Sequence, residues 1–416
     1  MRPTARSWRP TLPEGPVAKY YLYRASMAAG FTTPIWYYYV KLNVESYALV
    51  GAVDAIWWAG LLLFEIPTGV VGDRIGRRNS LLVASAMITV AQLAMVVSSE
   101  FAHFAVVFAF WALASTFESG TADAWLYDTL KARMDEGDFA QVRGRGNAVM
   151  YVVMGTTGVV GGYIADVWMP AAYLASAAVT VLSIPVLLSF PESAPGRSDS
   201  DTGEGDSDDH FTVVDALPVI REEFSKPPLR SFVPYLGLFF GVYWGVNFFV
   251  QPFSIETLGL SVSEVGWMFG GFTAVAAAVS YNTDRIEEVV GLRRWFALAP
   301  PVLGALFVGV ALAPIAAIPV FFVMRATRGV MTPLANQYIN DRVGSVGRAT
   351  VLSTAGMIYH VVTIPFELGA GRLADALGIV PTIGLFGGIL VAGSAVFLGV
   401  SSAFGASSVA DESAAD

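Results

Sequence analysis

The amino-acid sequence predicts an all-α membrane protein, with twelve transmembrane helices in two pseudo-symmetric bundles of six. Three observations carry that expectation. Of the 416 residues, 55% are hydrophobic and only 14% are charged, and the mean hydropathy of +0.57 is too high for a soluble chain. Apolar runs long enough to cross roughly 30 Å of hydrocarbon as helices recur along the whole sequence. A short pattern, a small residue followed four positions later by aspartate, returns at Gly69/Asp73, Gly162/Asp166, Ser280/Asp284 and Gly371/Asp375.

Taken in order, the runs give spans at about 17–40, 47–72, 79–98, 103–128, 145–166 and 169–190, then at about 231–255, 263–283, 292–312, 315–339, 347–370 and 378–401. The first is too long for a signal-peptide core and lacks a small-residue cleavage site, so it stays as a membrane helix. Basic residues test the count. With the basic N-terminus (Arg2, Arg6, Arg9) inside, twenty of the 25 lysines and arginines fall in segments predicted inside, and only Lys41 and Arg372 fall outside. That asymmetry places both termini in the cytoplasm of a cell (plasma) membrane protein.

Between spans 6 and 7 the composition shifts. Residues 193–210 are Ser/Gly/Asp-rich and cannot bury a core, which predicts disorder. After them Val213, Leu217, Ile220 and Phe224 recur at helical spacing, as in a helix lying on the inner membrane surface. The domain reading is therefore a first bundle at 1–192, a cytoplasmic linker at 193–230, a second bundle at 231–402 and a tail at 403–416. The halves repeat internally. Asp73 and Asp284 stand 211 positions apart, and Asp166 and Asp375 stand 209 apart. Spans 2 and 5 end on opposite faces, so the three-helix repeat within each half is inverted, and a substrate site is expected near mid-membrane between the halves.

The loop after span 2 reads Glu65-Ile-Pro67-Thr-Gly69-Val-Val-Gly72-Asp73-Arg74-Ile-Gly76-Arg77-Arg78. Gly69 would let helices approach closely, Gly76 would allow a tight reversal, and Asp73 could face the positive end of a neighbouring helix. The pattern Gly69-x3-Asp73-Arg74-x-Gly76-Arg77-Arg78 resembles the signature between helices 2 and 3 of the major facilitator superfamily of secondary transporters. The resemblance covers about residues 17–401 and is similar in particular to the proton-coupled drug antiporter group. It implies that Asp128 meets Arg77 and Arg78 to lock the outward-open state, and that Asp73 caps span 11 near 348–354. The run Gly155-Thr-Thr-Gly158-Val-Val-Gly161-Gly162 allows tight packing against span 8, or its neighbours, at the interface between the halves. It is similar to the glycine-rich motif of proton-coupled antiporters in this superfamily, although that motif's proline is missing here.

Several polar residues lie inside spans, where an unpaired charge costs several kcal/mol. Glu118 in span 4 should face a central cavity as a proton carrier, or else be neutralised by Arg24 of span 1. Asp123 is also a proton-coupling candidate, although, five positions on and about 140° round the helix, it is not expected to share the face of Glu118. Glu65, beside the helix-perturbing Pro67, is a further candidate, a partner for Arg24 or a gate residue near the loop. His360 and Glu367, seven apart in span 11, share a face and are further proton-coupling candidates, although that His reads first as a hydrogen-bonded packing residue and only second as a proton relay.

Arg325 and Arg328 of span 10, with Asn336 following, could bind an anionic substrate or hold Glu256 or Glu367, and the internal ion pair is the expectation. The aromatic run with Tyr37 in span 1 reads as an outer-interface belt ahead of binding. Tyr243, Asn247 and Gln251 of span 7 read as cavity lining for an amphiphilic or aromatic compound. With Arg24, Tyr37, Arg325, Arg328 and Asn336 they make up the candidate substrate cavity.

The expected function is proton-coupled export of a small amphiphilic molecule by alternating access. An importer of a small solute is the alternative, and a transport-dead membrane sensor is the reading from another class. No cofactor, metal cluster or nucleic-acid partner is expected, there is no nucleotide-binding loop, and a monomer is expected. An enzyme is disfavoured because no nucleophile–base pair appears. With no cysteine there is no disulfide framework. A net charge of −9, with four lysines against twenty-one arginines, points to a halophilic source whose acidic surface stays hydrated in high salt.

Overall fold

The computed structural model describes residues 15–28, 30–133, 136–190, 225, 229–343 and 348–412. Among them, ten segments are long and apolar enough to cross a membrane: span 2 (Tyr47–Ile75), span 3 (Arg77–Val97), span 4 (Phe101–Ala132), span 5 (Phe139–Val167), span 6 (Met169–Leu188), span 7 (Leu229–Thr257), span 8 (Val262–Tyr281), span 9 (Leu292–Leu312), span 10 (Pro314–Asn340) and span 12 (Ile379–Gly399). Span 1, in two pieces at Pro16–Met27 and Trp36–Val44, and span 11, Arg348–Leu377, complete the expected twelve. The helix of span 12 runs on to Glu412, past its predicted end at 401. Apart from residues 225, 229 and 230, the expected linker at 193–230 lies outside the described residues.

Two spans predicted as continuous are broken. Span 1 stops at Met27 and restarts at Trp36 because Pro34 has no N–H to continue a helix, and because the backbone at Gly30 is pressed against span 5. A Cβ at Gly30 would lie 2.5 Å from the Met154 carbonyl oxygen. The freed polar groups find partners inside the protein, as a membrane requires. Gly30 N–H donates to Thr157 Oγ1 at 2.8 Å, and Thr33 C=O accepts from Gln251 Nε2 at 2.7 Å. Span 4 breaks directly after Glu118, where Gly120 takes a left-handed φ of +69° that favours glycine.

The halves meet through two crossed pairs, span 2 with span 11 and span 5 with span 8. Small residues set the closeness of both pairs. A Cβ at Gly51 would lie 2.6 Å from the Glu367 carbonyl oxygen, one at Gly371 would collide with the Tyr47 carbonyl, and one at Gly162 would lie 2.8 Å from the Val262 carbonyl oxygen. Within the glycine run of span 5, Gly155 and Gly162 pack on span 8, while Gly158 and Gly161 face Gly30 and Phe31 of span 1.

The turn at Gly76 defines what we call the loop face of the molecule. Gly76 has φ +86° and its counterpart Gly291, between spans 8 and 9, has φ +78°. Each precedes an arginine pair, Arg77/Arg78 and Arg293/Arg294. A side chain in that conformation costs about 1–2 kcal/mol. Gly76→Ala is therefore expected to lower the melting temperature of the purified protein, whereas Gly69→Ala, with open space around it and no positive φ, should not. Thermal unfolding of both variants in detergent checks this.

Candidate functional site

At the face opposite the loop, the starts of spans 2 and 8 are built alike. The first four N–H groups of a helix lack partners within it. At span 2, Ser46 Oγ accepts from Leu49 N–H, while Tyr47 N–H and Ala48 N–H donate to Asp375 of span 11 at 2.8 and 2.9 Å. At span 8, Ser261 Oγ accepts from Glu264 N–H, while Val262 N–H and Ser263 N–H donate to Asp166 of span 5 at 3.0 and 3.2 Å. Each carboxylate sits against a helix N-terminus where its charge is favoured, and each ties one half to the other. Two of the four repeated aspartates thus close the opposite face. Gln251 adds a third tie: its Oε1 accepts from Tyr37 N–H at 2.8 Å, and Tyr47 Oη donates to Glu256 Oε2 at 2.6 Å beside it.

The remaining two repeated aspartates are open. Asp73 is exposed and makes no hydrogen bond or ion pair among the described residues; residues 344–347, which lead into the start of span 11 that it is expected to cap, lie outside the described residues. Gly69 has nothing within 4 Å of its would-be Cβ and does not serve close packing in this conformation. Glu65, Gly69, Asp73 and Arg77 line an open cavity of about 280 Å³ with Thr116 and Gly120. Arg77 Nε pairs with Asp128 Oδ2 at 2.7 Å. The pairing that the loop signature implies is therefore present, and both of its residues belong to the first half. Arg74 lies exposed at the end of span 2, and Arg78 reaches the Phe190 carbonyl.

Above the loop face, the first half holds a charged cluster. Arg24 Nη1 stands 3.6 Å from Glu118 Oε1, and Arg24 Nη2 donates to Asn147 Oδ1 at 3.1 Å. Arg24 therefore serves Glu118 and not Glu65. Asp123 accepts from Arg143 Nε at 2.7 Å and, at 3.5 Å, from Tyr20 Oη. The break after Glu118 removes the 140° rotation an unbroken helix would impose, and Asp123 joins the neighbourhood of Glu118 that the spacing had excluded.

At mid-membrane four spans converge. Trp58 of span 2 lies against Trp244 of span 7, with ring centroids 5.4 Å apart, and against His360 of span 11 at 4.8 Å. Arg328 lies over the rings of Tyr243 and Trp244 at 5.5 and 5.1 Å. Arg325 Nη1 donates to Tyr243 Oη at 3.1 Å and its guanidinium lies over Phe269 and Phe272. Among the described residues neither arginine pairs with a carboxylate, which overturns the expected ion pairs. Glu256 is held by Tyr47 and Glu367 accepts from Trp58 Nε1 at 3.1 Å. Arg325 Nε is buried without an acceptor, while Arg328 and Asn336 are exposed.

The other cavity candidates are enclosed. Asn247 and Gln251 are buried and Gln251 is spent on the tie to span 1. Tyr37 is also buried and is no lipid-facing belt, because its hydroxyl donates to Asp54 Oδ2 at 2.6 Å. Asp54 is the site residue that the sequence reading misses. A lone carboxylate eight positions into span 2, in an otherwise apolar run, was the available signal.

These features define a class: a multi-pass helical membrane protein of two inverted-repeat halves, tied together at one face and open at the other. The chain belongs to the Major Facilitator Superfamily, whose family model matches residues 24–365. It is a transporter and not an enzyme. It is 24% identical over 372 residues to the uncharacterized MFS-type transporter YxaM of Bacillus subtilis (strain 168), covering 83% of this chain and 88% of that protein. Among solved structures it is similar in fold to the nucleoside transporter NupG, with a TM-score of 0.75, 12% identity, and coverage of 92% of this chain and 97% of that one. It is likewise similar to a D-xylose-proton symporter, with a TM-score of 0.64, 12% identity, and coverage of 92% and 94%.

Proposed function

We propose that this protein is a proton-coupled secondary transporter of a small amphiphilic molecule that carries an aromatic group and an anionic one, and that it works as an exporter by antiport. The observation that carries the substrate class is the pair Arg325 and Arg328. They stand in mid-membrane over aromatic rings, with no carboxylate partner among the described residues. A cation so placed is costly unless something compensates it. A bound organic anion does so, while Trp58 and Trp244 offer flat apolar walls to the rest of the molecule.

The excess of arginine on the loop face supports its assignment to the cytoplasm, and on that reading the present conformation is inward-open. Antiport is supported by the glycine run of span 5, in which Gly155 and Gly162 pack on span 8. Inward symport is the second reading, favoured by the likeness in fold to a D-xylose-proton symporter. Residues 1–192 and 231–402 are proposed as the two moving bodies, in a monomer.

Proteoliposomes with an imposed pH gradient test this, using three aromatic probes of equal size bearing a carboxylate, a neutral amide or an ammonium group. The carboxylate probe should move against the direction of the proton gradient for antiport, or with it for symport. A charge-assisted contact contributes about 1.5–3 kcal/mol, so Arg328→Gln should slow that probe by roughly ten- to 150-fold. Preferred movement of the ammonium or neutral probe, with no effect of Arg328→Gln, would refute the assignment of substrate class.

A further inference from the structure

We propose that Asp54 and Glu367 together form one proton-binding site across the boundary between the halves, and that the bound proton holds the opposite face shut. This deepens the proton-coupled reading above and rests on it for its place in a transport cycle.

Asp54 belongs to span 2 and Glu367 to span 11, so the two carboxyl groups come from different halves. Both are buried, 4% and 0% exposed; Gly51, three positions before Asp54, lies against the Glu367 main chain, and Trp58, four positions after it, donates to Glu367 Oε1, so the face of span 2 that carries Asp54 is the one packed on Glu367. Each has one oxygen satisfied by a neutral donor. Tyr37 Oη donates to Asp54 Oδ2 at 2.6 Å, and Trp58 Nε1 donates to Glu367 Oε1 at 3.1 Å. The other Glu367 oxygen, Oε2, is buried with no donor at all.

Around the pair, no lysine or arginine stands within ion-pair distance among the described residues. Arg325 of span 10 is the cation whose charge reaches Tyr37, and it is committed to Tyr243. His360 of span 11 stacks on Trp58. Glu256, the nearby acid of span 7, is bound to Tyr47, over whose ring lies Lys41.

Two ionised carboxylates in contact, shielded from water and without a cation, repel. One proton between them removes a charge and supplies the hydrogen bond donor that Oε2 lacks. It also turns a repulsion between the halves into a hydrogen bond across them. The position gives that bond leverage. Gly51, one turn before Asp54, lies against the Glu367 backbone, and the Asp375 tie sits further along the same two spans. Opening the opposite face must draw Asp54 away from Glu367 and wet both groups. Closing takes up one proton that opening releases.

The linkage has a definite sign. Where the separated carboxyls are ionised and the closed pair keeps its proton, the closed-to-open ratio falls about tenfold for each unit rise in pH. Spin labels at Leu42→Cys and Ala376→Cys, both exposed at the opposite face, read that ratio as a distance distribution in detergent without substrate or gradient. The wild-type background should show the tenfold slope. Asp54→Asn and Glu367→Gln should each remove it, since a carboxamide donates a hydrogen bond without taking a proton, and each should leave the face predominantly closed.

His360→Gln should keep the slope, separating the pair from the neighbouring imidazole. Either carboxamide variant suffices if the other fails to fold, as judged by gel filtration. A wild type whose distances ignore pH, a slope retained in both carboxamide variants, or a slope that appears only when sodium replaces potassium would overturn the proposal. The transport reading fails separately: a normal slope with no proton-driven flux sinks that reading and keeps the lock, while flux without the slope does the reverse.

Discussion

Gly371→Val is expected to stop turnover while leaving the protein folded in the membrane. Even a single Cβ at Gly371 would collide with the carbonyl of Tyr47 and press on the Ala48 backbone. Those atoms are main chain at the start of span 2 and cannot swing aside. Overpacking of this kind costs about 1–3 kcal/mol, and here the cost falls on one conformation only, because the contact exists only while the opposite face is shut. The equilibrium should move by roughly 5- to 150-fold toward the state with that face open. Transport that needs both states would then fall by a similar factor, with little change in the amount of protein recovered. Gly69→Val is the mirror case. Gly69 has open space in this conformation, so the substitution should leave the present state intact and hinder closure of the loop face instead. Initial rates in proteoliposomes, paired with accessibility of cysteines placed at each face, check both variants.

The double variant Asp166→Ala/Asp375→Ala is expected to spring the opposite face open. Each aspartate accepts two main-chain N–H groups from the other half, and Asp375 accepts also from Ser46 Oγ at 2.6 Å. Loss of a helix cap costs about 0.5–2 kcal/mol, and the two sites share no residue, so the losses are expected to add. A combined loss of about 1–4 kcal/mol corresponds to roughly a 5- to 1000-fold shift in population. Asn at both positions should restore most of the closure, because Asn caps almost as well as Asp. Cysteine labelling at Leu42 is the readout: faster labelling in the alanine pair than in wild type, with the asparagine pair in between.

The architecture was legible in the sequence because hydrophobic length and charge asymmetry are dictated by the bilayer, and because four aspartates at matched offsets expose the inverted repeat. The same four residues also gave half of the closure. Asp166 and Asp375 are engaged and Asp73 is not, a split that no sequence pattern encodes because it belongs to the conformation. What the sequence could not give is pairing across spans. Arg325 and Arg328 have enough acids in the chain to suggest ion pairs, and only the packing shows them resting on Tyr243, Trp244, Phe269 and Phe272. The helix breaks were hidden for a similar reason. The residues around Pro34 and Gly120 read as ordinary members of apolar runs, yet Thr157 and Gln251, distant in sequence, supply the hydrogen bonds that make the first break tolerable. Asp54 was obscured by the apolar run around it, and its importance rests on facing Glu367 from the other half.

The account stands on a rocking of two halves that shuts one face as it opens the other. The most direct measurement uses two label pairs in the naturally cysteine-free chain: Leu42→Cys with Ala376→Cys at the opposite face, and Asn79→Cys with Asp341→Cys at the loop face. Distances are recorded by pulsed electron resonance across a pH series, in the wild-type background and with Gly371→Val. The two distances should change in opposite senses, and Gly371→Val should populate the long opposite-face distance together with the short loop-face one. Two distances that stay fixed, or that lengthen and shorten together, would contradict it.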